Sequence, residues 1–244
     1  MKNKKFWNWA TRNQEDGMEM RTLTLNGVIA SESWFDDDVT PQMFKDELLA
    51  GSGDIEVFIN SPGGDRIAAS QIYTMLNEYK GNVTIKIDGL AASAASVIAM
   101  AGNTTLMAPT AIMMIHNPFT IAEGNVDDFE KAIAMLNEVK ESIINAYEMK
   151  SGLSRAKISH LMDSETWLNA GKALDLGFID GIIGSEKHTS DEKSKNLNKS
   201  SFSFSEKEIT ASLISKVSKA HQTSKDIGGV VADDLLKRLN LLSH

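Results

Sequence analysis

The residues most able to do chemistry in this 244-residue chain lie in two short stretches of small amino acids and one apolar run. "GLAAS", residues 89 to 93, places Ser93 where a strand gives way to a helix, near unsatisfied N–H groups and the positive end of the helix dipole. A serine there suits nucleophilic attack on a carbonyl, because the N–H of Ala94 can help hold the oxyanion. The bland alternative is that Ser93 only caps the helix. "NSPGGD", residues 60 to 65, is a second such junction, in which Pro62 stiffens the chain while Gly63 and Gly64 permit positive φ and outward-pointing N–H groups. A serine nucleophile needs a base. Of the five histidines, His188, His221 and His244 lie in the tail, and His160 reads as a surface residue of an amphipathic helix. His116 ends the apolar run "AIMMI" and precedes "NPF", so its imidazole can face a cleft. A carboxylate must then orient the imidazole, and Asp163 and Glu165 flank one turn from which either could reach. Ser96 reads as a small packing residue one turn into the helix.

These residues need a scaffold that brings the turn at 60–65, Ser93, His116 and a carboxylate at 163 or 165 together. "RTLTLNGVIA", "DIEVFIN", "NVTIKID" and "TTLM" read as strands, and "TPQMFKDELLAG", "DRIAASQIYTMLNEYKG" and "SAASVIAMAGN" as the helices between them. That alternation predicts an α/β fold with a largely parallel sheet, whose sites gather at the C-terminal ends of strands. Residues 125 to 152 predict one long helix with Asp127 and Asp128 in its first turn and Gly152 after its end. "SRAKISHLMD" predicts another helix, followed by a short strand, a helix ended by Gly177 and a last strand.

With 42% apolar residues the chain can build a real core. The absence of cysteine removes disulfides, thiolate metal sites and a cysteine nucleophile, leaving an oxygen or a lysine for covalent catalysis. No cofactor or metal is implied. A formal charge of -8, with no basic cluster before the tail, argues against a nucleic-acid surface. The basic, aromatic first 20 residues have too short an apolar part for a signal peptide or a membrane span, and read as a mobile or partner-contacting arm of a cytoplasmic protein. Four segments are therefore expected: an arm (1–20), the principal domain (21–185), a Ser/Lys-rich linker (186–206) and a helical, partly disordered tail (207–244).

"INSPGGD", "GLAASAAS", "MMIHNPF" and "ETWLNAGKALDLGFIDGII", in that order, resemble the ClpP-type serine peptidases, the proteolytic subunits of the Clp protease. They are most similar to the ClpP-related proteases of bacteriophage head-assembly modules. The resemblance covers residues 20 to 184. It implies the ClpP/crotonase-like fold of repeated ββα units, with the long helix as a protruding handle, and assembly into rings that stack around a chamber. It implies Ser93 as nucleophile, His116 as base and Glu165, two residues before Trp167, as the acid, with Gly64 and Ala94 N–H groups as the oxyanion hole. Glutamate in place of the family's usual aspartate leaves Glu165 and Asp163 both open as the partner of His116. Protein or peptide substrates follow, with phage capsid or scaffold proteins as the expected class. The first 20 residues do not match the loop that docks an ATP-driven unfoldase, and the tail after Gly184 has no counterpart.

Three rivals stand beside this reading. A Ser/Lys peptidase would use Lys86, the lysine nearest Ser93 in sequence. A crotonase-like acyl-CoA enzyme would need the oxyanion hole but no Ser/His pair. A ring-forming scaffold would keep the fold without activity.

Overall fold

The computed structural model describes residues 5–13, 19–30 and 40–185. The linker and tail expected at 186–206 and 207–244 lie outside the described residues. Fourteen elements follow one another: β1 (Trp7–Asn13), β2 (Glu19–Asn26), α1 (Pro41–Leu49), β3 (Ile55–Ser61), α2 (Arg66–Asn77), β4 (Val83–Ala92), α3 (Ala94–Ala99), β5 (Thr104–Met107), β6 (Ile112–Ile115), α4 (Val126–Ser151), α5 (Arg155–Asp163), β7 (Thr166–Asn169), α6 (Ala170–Asp175) and β8 (Gly181–Ile182).

The strands form an eight-stranded sheet in the order β1-β2-β3-β4-β5-β8, with β6 joined to β4 and β7 joined to β6. All pairings are parallel except β1 with β2 and β6 with β7. Alternation decides which face is buried: Ile55, Val57 and Ile59 of β3 and Val83, Ile85 and Ile87 of β4 are wholly buried, while the residues between them are not. They share one core with Phe44 and Leu48 of α1, Ala68, Ala69, Ile72 and Leu76 of α2, and Ala95, Ile98 and Ala99 of α3.

The helices begin and end where side chains can satisfy their free backbone groups. Thr40, Asp65 and Ser154 each accept from an N–H three residues on. Asn125 and Asp128 form a reciprocal capping box at the start of α4, and Gly152 closes it at φ 68°. That helix buries Ile144, Ala146 and Tyr147 near its C-terminal end and leaves Val126, Phe129 and Ile133 exposed, consistent with a projecting handle. No helix among the described residues is long and apolar enough to cross a membrane.

Two segments depart from expectation. The N-terminal arm is not loose over 7–13: β1 lies antiparallel on β2, with Trp7 opposite Leu25. Phe6 and Trp7 are buried, Trp7 meets Phe44 edge-on at 5.3 Å, and its indole N–H donates to Glu47 Oε2 at 2.7 Å. The aromatic residues that gave the arm its look of a contact segment are thus consumed in the core. The second departure is at β4, expected to end at Asp88. It runs on to Ala92, because Leu90, Ala91 and Ala92 find new partners in Ile112, Met113 and Met114 of β6 after the first half has paired with β5.

Trp7→Ala should cost about 3 kcal/mol, the usual penalty for emptying a buried aromatic site, read as a lower midpoint in denaturant unfolding. An unchanged midpoint would mean that β1 is not docked in solution.

Candidate active site

Ser93 follows the last residue of β4, and its N–H donates to Met114 O of β6 at 2.9 Å. Its backbone stands at φ 54° and ψ -126°, a conformation rare for any residue but glycine. Such strain costs on the order of 1–3 kcal/mol and persists where surrounding structure enforces it. Here the enforcement comes from the extended β4–β6 pairing on one side and the first turn of α3 on the other. The side chain makes no capping bond to α3. Its Oγ lies instead 2.8 Å from His116 Nε2.

The neighbouring turn must carry glycines. A Cβ on Gly63, at φ 96°, would stand 2.8 Å from both Ser93 Cβ and Ala92 O, and one on Gly64 would be 2.2 Å from Ile29 O. Gly64 also forms an isolated parallel bridge to Ile29, whose N–H donates to Gly63 O and whose carbonyl accepts from Asp65 N. In a parallel bridge the central residue's own N–H points away from that partner. The Gly64 N–H is therefore directed away from Ile29, and Gly64, Ser93, Ala94 and His116 line a single cavity of about 710 Å³. Tyr73, Val97, Val139 and Ile143 contribute apolar wall to it.

His116 is the first residue beyond β6 and is half-buried. Burial lowers its pKa below the ordinary histidine value, and the nearby charge of Glu165 offsets part of that fall. The imidazole is consequently neutral at pH 7. With its proton on Nδ1, Nε2 can accept from the Ser93 hydroxyl.

The two carboxylates on the α5–β7 turn divide. Glu165 sits at φ 44°, again in the left-handed region, and its Oε1 accepts from Trp167 Nε1 at 3.2 Å. Its negative charge raises the His116 pKa against the larger effect of burial. Asp163 is engaged elsewhere, accepting from Lys140 Nζ at 2.5 Å and Asn117 Nδ2 at 2.8 Å, and these donors hold its pKa below the usual carboxylate range. Two of the three non-glycine residues with positive φ among the described residues are thus Ser93 and Glu165.

Ser96 does more than fill space. Its Oγ donates to Ser93 O at 2.5 Å and stands 2.7 Å from Tyr147 Oη, so the turn carrying Ser93 is tied to α4. Tyr147 is wholly buried, and burial pushes its pKa far up, against the opposing hydrogen bond of Ser96. It remains a neutral phenol. Sequence separation hides this pair, since its members stand 51 positions apart. Lys86 is committed to an ion pair with Glu56 and lies over the Phe58 ring, so its ammonium is occupied away from Ser93.

The sequence has counterparts among known proteins. The family model described as Clp protease matches residues 14–186. The ATP-dependent Clp protease proteolytic subunit of Porphyromonas gingivalis is 32% identical over 154 residues, which cover 60% of this chain and 69% of that protein. The ATP-dependent Clp protease proteolytic subunit 1 of Chlamydia abortus is 30% identical over 175 residues, covering 69% of this chain and 91% of its own. A proteolytic subunit of Bacteroides fragilis is 30% identical over 154 residues, covering 60% and 74%. The motifs at Gly64, Ser93, His116 and Glu165 all fall inside the matched span, and the chain belongs to the Clp protease family of serine peptidases.

Proposed function

We propose that Ser93, His116 and Glu165 form the catalytic triad of an endopeptidase that works through an acyl-enzyme. The observation that carries this is the 2.8 Å approach of Ser93 Oγ to His116 Nε2 at the mouth of a cavity shared with Gly64 and Ala94. Oγ attacks the scissile carbonyl while His116 takes its proton, and the N–H groups of Gly64 and Ala94 hold the oxyanion. His116 then protonates the leaving amine as the C–N bond breaks. Water, deprotonated by the same imidazole, hydrolyses the acyl ester and returns the proton to Ser93. Glu165 stabilises the imidazolium by charge, and Asp163, held by Lys140 and Asn117, is not its partner.

The wider setting belongs to the same proposal. A homo-oligomeric ring, stacked through α4, would enclose the sites, and the exposed Val126, Phe129 and Ile133 supply apolar surface for contact between rings. The relatives are named as subunits of an ATP-dependent protease, which supports a partner unfoldase, whereas the stretch beyond residue 186 lies outside the family match. The finer reading, a cytoplasmic role in phage prohead maturation with capsid or scaffold proteins as substrates, rests on the likeness of the four sequence motifs to the proteases of phage head-assembly modules.

A fluorophosphonate probe should label the intact chain at Ser93, located by mass spectrometry, and Ser93→Ala and His116→Ala should abolish the label. A folded protein that takes up no probe would instead favour the inactive ring-forming scaffold. The labelling rate should fall as pH drops through the depressed pKa of His116, because protonation removes the base. Glu165→Gln deletes the charge that props that pKa up, so the midpoint should move to lower pH while the plateau rate falls. A midpoint unmoved by this substitution would remove Glu165 from the triad.

A further inference from the structure

The side chain that follows the imidazole is tied down as deliberately as the imidazole itself. Asn117 donates from Nδ2 to Asp163 Oδ1 at 2.8 Å. The same carboxylate accepts from Lys140 Nζ of α4 at 2.5 Å and from Ser159 Oγ of α5 at 3.5 Å. The other polar atom of Asn117, Oδ1, is buried without a hydrogen-bond partner among the described residues. The bond to Asp163 is thus the polar contact that holds this side chain, and it joins three elements at one point.

Its place in the chain gives the contact a consequence. The last ladder pair of β6 is Ile115 with Thr166, so the backbone leaves the sheet at His116. From Asn117 to the start of α4 the chain has no regular structure, Pro118 offers no N–H, and Phe119 is 67% exposed. Arg66 Nη1 reaches Phe119 O only at 3.4 Å. The Asn117–Asp163 bond is therefore the first firm attachment after the sheet ends, one residue from the imidazole that must meet Ser93 Oγ.

We propose that Asn117 is a positioning residue, clamped by Asp163 and through it by Lys140, whose bond fixes the backbone beyond His116 and so the approach of Nε2 to Ser93. This rests on the Ser–His reading above. It gives the two carboxylates of one turn separate tasks: Glu165 supplies charge to the imidazole, and Asp163 supplies geometry. Because the Asp163 side chain is 51% exposed, solvent screens its pair with the 20% exposed Lys140, and the pair contributes modestly to stability. Its loss should appear in rate before it appears in melting.

The test compares fluorophosphonate labelling rates across pH for full-length variants, with thermal unfolding measured in parallel. Asn117→Ala and Asp163→Ala should each slow labelling of Ser93 by about ten- to a hundredfold, as expected when a reacting group is displaced by a fraction of an ångström to an ångström. The double variant should be no slower than the worse single, since both break one bond. Asp163→Asn keeps an oxygen that can accept from Asn117 and should recover most of the rate. The pH midpoint should stay at the wild-type value in all of these, unlike in Glu165→Gln. Arg155→Ala, which cuts the other polar link between α5 and α4, at Glu141 and Glu148, should leave the rate unchanged.

Wild-type rates in the two alanine variants, additive losses, or an equal loss in Arg155→Ala would overturn the positioning role. A midpoint lowered by Asp163→Ala would overturn it too, by making Asp163 the charge partner. A wild-type chain unlabelled at Ser93 would remove the serine-peptidase reading itself, and this inference with it, whereas a labelled wild type with unaffected variants would remove only the inference.

Discussion

The site depends on β4 changing partners. Its first half pairs with β5 and its last three residues with β6, and this change of partner delivers Ser93 to the Met114 carbonyl, with His116 two residues farther along the chain, just past the end of β6. The Ser–His distance is thereby set by sheet register. A side chain placed by ladder hydrogen bonds is held more closely than one carried on a free loop. What β4 cannot do is bring in Glu165, the proposed third group, which precedes β7 and arrives through the antiparallel pairing of β6 with β7.

Small residues are the condition for that arrangement. Gly63 lies against Ser93, and Gly64 lies against Ile29, so two backbone turns approach within distances that no side chain would allow. The same closeness sets the bridge to Ile29 that turns the Gly64 N–H away from that residue. Ala92, Ala94 and Ala95 extend the principle into α3, where bulk would separate the helix from the sheet.

Much of this was legible along the chain, and the unread parts share a cause. Ser93 and His116 could be placed at strand ends because each follows an apolar run, which locates a residue there without any knowledge of the partner strand. The extension of β4 to Ala92 was hidden because "GLAA" has no alternation and becomes a strand only through β6, some twenty residues later. Phe6 and Trp7 were misjudged for a similar reason: their burial requires α1, and nothing local announces it. The separation of Asp163 from Glu165 was equally out of reach, since two carboxylates on one turn differ only in which distant donors they meet. Local pattern fixes which residues are available, and tertiary contact decides what each does.

The left-handed backbone at Ser93 carries a cost that the folded protein bears permanently. Glycine would adopt φ 54° with less strain, and the turn, the sheet register and α3 would all survive the exchange. The fold would then be more comfortable without a serine at this position than with one. Under the proposed mechanism, position 93 is a place where fitness for folding and fitness for reaction pull in opposite directions, and a sequence selected for thermal resistance alone would drift away from the serine.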